Sequence, residues 1–97
     1  MSSKTYYTSD IAVALKYDGK NAPKVTAKGE GFTAHQILEI AEKHGVPLQT
    51  DPELARVLAH IPLGDEIPPQ LYIAVAEIIA FAYYLSGKTP ENFQNDL

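Results

Sequence analysis

Ile11-Ala-Val-Ala-Leu-Lys-Tyr17, followed by the turn Asp18-Gly19-Lys20-Asn21 and then Pro23-Lys-Val-Thr-Ala-Lys28, is the stretch on which the fold turns. In an extended chain successive side chains point to opposite faces, so Ile11, Val13, Leu15 and Tyr17 share one side. The other side, Ala12, Ala14 and Lys16, is small enough for a helix to cover. Asp18 to Asn21 supplies turn chemistry, because Gly and Asn tolerate positive φ. In the second strand Lys24, Thr26 and Lys28 alternate with Val25 and Ala27, which predicts one wet face and a place near a sheet edge.

Working outward, Thr33-Ala-His-Gln36 has the spacing of a capping box and predicts a helix that begins there. Ile37, Ile40, Ala41 and His44 continue it, and Gly45 is placed to end it. Val46 to Thr50 reads as a short strand. Asp51-Pro52 then pairs an N-cap with the residue best suited to a first helical turn, opening a helix through Leu54, Ala55, Val57 and Leu58 that Pro62 and Gly64 close. A last helix is expected from Pro68-Pro69 to about Leu85. It carries two apolar stripes, one of Leu71, Val75, Ile78, Ala82 and Leu85, the other of Tyr72, Ala76, Ile79 and Tyr83, and the second is left over for packing inside the fold or for a partner. Residues 1–9 show no usable period and read as an N-terminal segment, residues 10–86 as the domain, and residues 87–97 as a loose tail. The expected architecture is α/β, a small mixed β-sheet of three to four strands packed with three to four helices.

The composition narrows the function. The 97 residues allow one domain, which at this size buries roughly 60–70% of its unfolded surface. Cysteine is absent, which removes disulfides and thiolate chemistry and fits a reducing compartment. A formal net charge of -4, with no basic run, opposes binding to nucleic acid. The most apolar stretch, residues 71 to 85, has Glu77 near its middle and falls short of the ~20 residues a membrane crossing needs.

The residue strings are more specific than the element order. Ala12-Val-Ala-Leu-Lys-Tyr-Asp18, Ala22-Pro-Lys-Val25, Ala27-Lys-Gly29, Glu39-Ile-Ala41, Gly45-Val-Pro47, Leu54-Ala-Arg56, Glu66-Ile-Pro68 and Leu71-Tyr72 with Ala74-Val-Ala-Glu77 occur in the order found in the cytoplasmic C-terminal domain of the FlhB/YscU family of flagellar and type III secretion proteins. The chain resembles that domain over residues 10 to 85. The resemblance implies a non-catalytic, cytoplasmic protein-binding module of a substrate-specificity switch, beside the export gate at the inner membrane, that docks export substrates or export-apparatus components. It implies a recognition patch at Ala22, Pro23, Ala76 and Ile79. The family also cleaves itself at an Asn-Pro-Thr-His turn; the matching positions are Tyr7, Thr8, Ser9 and Asp10, and a Tyr has no amide to cyclise, so self-cleavage is expected to be absent. The family's upstream strand is expected to be missing too, leaving an open edge beside Ile11 to Tyr17 through which the chain could self-associate. A self-associating structural domain and a residual autoprotease are therefore the alternatives.

Other residues carry blander readings. Glu77 among apolar neighbours resembles a raised-pKa acid, but no motif ties a second catalytic group to it. His35, His44 and His60 lack metal spacing, since the first two fall on opposite sides of one helix. Gly29-Glu-Gly31 lacks the full glycine pattern of a phosphate loop, and Ser2, Ser3, Ser9 and Ser86 lie in no nucleophile elbow. Arg56 reads as an ion-pair or capping residue. No cofactor and no metal are expected.

Overall fold

A computed structural model describes residues 2–76 and 78. Four strands, β1 (Ser2–Tyr7), β2 (Ile11–Tyr17), β3 (Lys24–Glu30) and β4 (Leu48–Thr50), form one mixed sheet in the order β3-β2-β1-β4. The first three make an antiparallel meander, and β4 lies parallel to β1. Helix α1 (Phe32–Lys43) connects β3 to β4, and α2 (Pro52–Ala59) follows β4. Beyond α2, Pro69–Leu71 makes a single 3-10 turn. Among the described residues there are thus two α-helices; the continuation of the last predicted helix towards Leu85 lies outside them, as does the expected tail.

The two faces of β2 set the layers. Val13, Leu15 and Tyr17 join Tyr6 and Val25 in a core closed by Leu54 and Leu58 of α2 and by Ile67, Val75 and Ile78. Burying a side chain such as Leu15 or Leu58 contributes about 1.5–3 kcal/mol. Ala12 and Ala14 lie on the other face with Ala27, under the Ile37 and Ala41 side of α1. Small side chains on both sides let this helix come close, and at Gly29 even a Cβ would collide with the side chain of Thr33.

Strand β1 corrects the reading of residues 1–9 as a segment apart. Its polar sequence is central because its backbone is paired on both sides, with Tyr6 opposite Val13 on β2 and opposite Gln49 on β4. Tyr6 and Thr5 are buried, and the Lys4 ammonium lies 5.4 Å from the Tyr6 ring centroid, a cation–π distance. Strand β2 is therefore no open edge, and self-association through it loses its basis. The outer edge of β3 is partly covered as well: Val25 N–H donates to Asp65 O, and Gly64 N–H donates to Val25 O.

Two local expectations also need correction. Helix α1 starts at Phe32 with Gly31 as its N-cap and no side-chain cap bond, so Thr33 lies inside the first turn and the capping box does not form. Gly31, at φ 56°, reverses the chain immediately after β3, and its N–H is fixed by Asp10 O. The single wet face of β3 fails because a bulge intervenes: Ala14 pairs with Ala27 but Leu15 pairs with Val25, leaving Thr26 unmatched. Ala27 therefore lies under α1, while Lys28 points towards α2 and donates to the carbonyls of Ala59 (3.0 Å) and Ile61 (2.7 Å). A cation at the C-terminal end of a helix is favourably placed against its free carbonyls.

The other caps match the sequence. Val46 N–H donates to Ala41 O and Gly45 N–H to Glu42 O, a Schellman closure around Gly45 at φ 69°. Asp51 Oδ1 accepts from Leu54 N–H at 3.1 Å, with Pro52 opening α2. The tight β3–α1 approach gives a first prediction. Gly29→Ala should lower stability in urea unfolding by about 1–3 kcal/mol, and Thr33→Ala introduced with it should restore part of the loss.

Candidate protein-docking surface

The turn between β2 and β3 is built by one carboxylate. Asp18 Oδ1 accepts from the backbone N–H of Lys20 (2.8 Å) and of Asn21 (2.9 Å), and Oδ2 accepts from Asn21 Nδ2 at 3.3 Å. Because these donors favour the ionised form, above all the N–H of Asn21 and then that of Lys20, the carboxyl is held below its ordinary range. The turn delivers Ala22, half-buried, and Pro23, fully buried. Pro23 O accepts from Ile67 N–H at 2.8 Å, tying this loop to the segment that enters Pro69–Leu71.

Across from the loop stands Tyr72, 39% exposed. Tyr17, Lys20, Asn21, Ala22, Pro23 and Tyr72 line a shallow concavity of about 180 Å³. Ala76, one turn beyond Tyr72, is exposed, whereas Val75 and Ile78 are buried in the core. Thus Ala22 and Pro23 share a hollow with Tyr72, and Ala76 continues the exposed side of the same segment. Ile79, Tyr83 and Glu77 lie outside the described residues. Pro23 offers little surface itself and serves mainly to fix the loop. Tyr17, Lys20 and Asn21 were missed as lining residues: Tyr17 reads as core from its strand period, and nothing in the local sequence aims the turn at residue 72.

The turn from β1 to β2 holds the cleavage-motif positions. Tyr7 ends β1, its carbonyl accepting from Asp51 N–H at 2.9 Å, and Thr8, Ser9 and Asp10 make the connection, with Thr8 N–H donating to Ile11 O at 2.8 Å. The side chain at position 7 is a phenol, which cannot form the cyclic imide that an Asn side chain forms. His35, His44 and His60 are exposed; ring Nδ1 of His44 and of His60 lies 2.9 Å and 2.7 Å from the carbonyl four residues earlier. Among the described residues no group of His, Asp and Glu is arranged to hold a metal ion. Arg56 is exposed, and its carbonyl is the one facing the His60 ring.

The profile of the FlhB HrpN YscU SpaS Family matches residues 8–82. The chain belongs to that family. It is 48% identical over 81 residues to the flagellar biosynthetic protein FlhB of Aquifex aeolicus and 46% identical over 88 residues to that of Salmonella typhimurium, covering 80% and 88% of this chain. It spans only 23% and 22% of those two FlhB proteins. The uncharacterized protein YlqH of Bacillus subtilis is 46% identical over 76 residues, which are 76% of this chain and 82% of YlqH. Among solved structures, the cytoplasmic domain of FlhB from Shewanella putrefaciens superposes with a TM-score of 0.75 at 32% identity, covering 92% of this chain and 77% of that one. A mutated EscU C-terminal domain also gives 0.75 at 32% identity, covering 84% and 85%. Among the described residues no helix is long and apolar enough to cross a membrane.

The geometry of the Asp18 turn gives a second prediction. Its hydrogen bonds are fully present above the ordinary carboxylate range and are lost as pH falls through the lowered value of this group. In an NMR titration the Lys20 and Asn21 amide resonances should move together, at a pH below the ordinary range of an aspartate carboxyl.

Proposed function

We propose that this chain is a protein-binding module of the flagellar or type III export system, docking export substrates or components of the export apparatus without performing chemistry on them. The observation that carries this reading is the hollow between the Ala22-Pro23 loop and Tyr72. It is a concave, partly apolar surface of the family's fold, bordered by the exposed Ala76. Such a surface suits the insertion of an apolar side chain from a partner, with backbone and polar groups of the loop at its rim. The resemblance adds Ile79 to the same patch. The module would work on the cytoplasmic side of the export gate, in keeping with its likeness to the cytoplasmic domain of FlhB from Shewanella putrefaciens.

The test is capture on the immobilised chain from a flagellated bacterium, with the bound proteins identified by mass spectrometry. Recovery of gate or hook components by the wild-type chain, reduced at least about tenfold by Ala76→Glu, is the expected outcome, because a buried unpaired charge costs the interface while an exposed site tolerates it in the free domain. An Ala76→Glu chain that melts normally and captures the same proteins equally well would overturn the proposal.

The autoprotease alternative makes an opposite prediction. With a phenol at position 7, intact-mass measurement after long incubation should show one species of full mass. Accumulation of two fragments divided between Tyr7 and Ile11 would establish cleavage by another route.

A further inference from the structure

The same hairpin end carries a charge arrangement that folding does not explain. Lys16 and Lys24 are cross-strand partners, both exposed, so two cationic side chains leave adjacent strands at directly opposed positions. Like charges directly opposite are destabilising in a sheet. The pairing follows from the bulge at Thr26: without it Lys16 would face Val25. Lys20 stands in the turn between them, so three of the eight Lys and Arg residues of a chain with net charge -4 gather at one end.

The acids nearby offset this pair only in part: Asp18 attracts Lys24 across the hollow they share, one carboxylate against two ammonium groups. Asp18 spends its carboxylate on its own turn, accepting three hydrogen bonds there. Glu66, bridged to Lys24 through the backbone, makes no ion pair with it among the described residues. Lys16, Asp18, Ala22, Lys24 and Thr26 instead surround a second hollow of about 210 Å³, and Ala22 lies in its wall as well as in the wall of the Tyr72 hollow. One residue therefore separates a basic hollow from a partly apolar one.

We infer that the Lys16–Lys24 pair is a carboxylate-binding subsite, taking an Asp or Glu of the peptide segment whose apolar side chain enters the hollow at Tyr17, Pro23 and Tyr72. This rests on the docking reading above and specifies its ligand as an acidic-apolar peptide. A flat anionic membrane fits less well, since the net negative charge of the chain opposes adsorption to such a surface. An incoming carboxylate relieves the repulsion between the two ammonium groups, so the free domain is primed for an anion.

The test is selection of a displayed random-peptide library on the wild-type chain, Lys16→Gln with Lys24→Gln, Lys16→Glu with Lys24→Glu, and Ala76→Glu. The Gln pair gives up the attraction of Lys24 to Asp18 along with the Lys16–Lys24 repulsion, and a melting temperature close to wild type is expected for it. The wild type should enrich peptides with Asp or Glu within a few residues of an apolar position. The Gln pair should keep the apolar preference and lose the acidic one, and the Glu pair should exchange Asp and Glu for Lys and Arg. Selected peptides should bind the wild type about tenfold more weakly once salt exceeds the physiological range, and their Asn or Gln analogues should show little salt dependence. Apolar enrichment without acid, or acid enrichment undiminished in the Gln pair, overturns this inference and leaves the docking proposal standing. Absence of any apolar preference in the wild type overturns both. Sedimentation with vesicles containing phosphatidylglycerol, lost in the Gln pair and unaccompanied by acidic peptide enrichment, would assign the lysines to a lipid surface and overturn the inference.

Discussion

The structure depends on the inequality of the two faces of β2. Val13, Leu15 and Tyr17 on one side demand a thick apolar layer, which α2 and the residues from Ile67 to Ile78 supply. Ala12 and Ala14 on the other side admit α1 so closely that the neighbouring strand needs a glycine at position 29. Close packing of this kind leaves little freedom in where the helices sit. Once both layers are placed, the hairpin turn projects from one end of the sheet, and the hydrogen bond from Ile67 to Pro23 brings the segment bearing Tyr72 against it. The hollow at Tyr72 is thus a by-product of how the core is layered, with no element devoted to it alone.

Much of this was legible in the sequence wherever the determining physics is local. Strand β2 has the expected bounds because alternation of large and small apolar residues over seven positions has one economical solution in three dimensions. Gly45 and Asp51-Pro52 act as read, since a helix end is decided by the few backbone groups it leaves unpaired. The failures share a different cause. Thr33 lost its capping role to a chain reversal at Gly31 that is fixed by Asp10, a residue far away in sequence. Residues 2 to 7 show no usable period because a central strand made of Ser, Lys, Thr and Tyr owes its place to backbone pairing on two sides, which composition does not display.

The candidate site divides in the same way. Ala22 and Pro23 came from the family resemblance, and the turn before them from Asp-Gly chemistry, while Tyr72 stood on the stripe left over by periodicity. What periodicity could not supply was the register of β3. A one-residue bulge at Thr26 moves Val25 into the core opposite Leu15 and Lys24 opposite Lys16, so both the packing and the charge pair depend on an irregularity that a strict two-residue period excludes.

The central position of β1 also orders events in time. A ribosome makes Ser2–Tyr7 before Leu48–Thr50, yet one side of the earlier strand waits for the later one, since Thr5 pairs with Leu48. Pairing across so long a stretch of chain carries a loop-closure cost before any reward, which slows folding relative to a helical bundle. Until β4 emerges, the nascent hairpin shows a bare strand edge, so vectorial synthesis gives this domain a brief window in which a chaperone or a neighbouring nascent chain can reach it, and which closes once β4 docks.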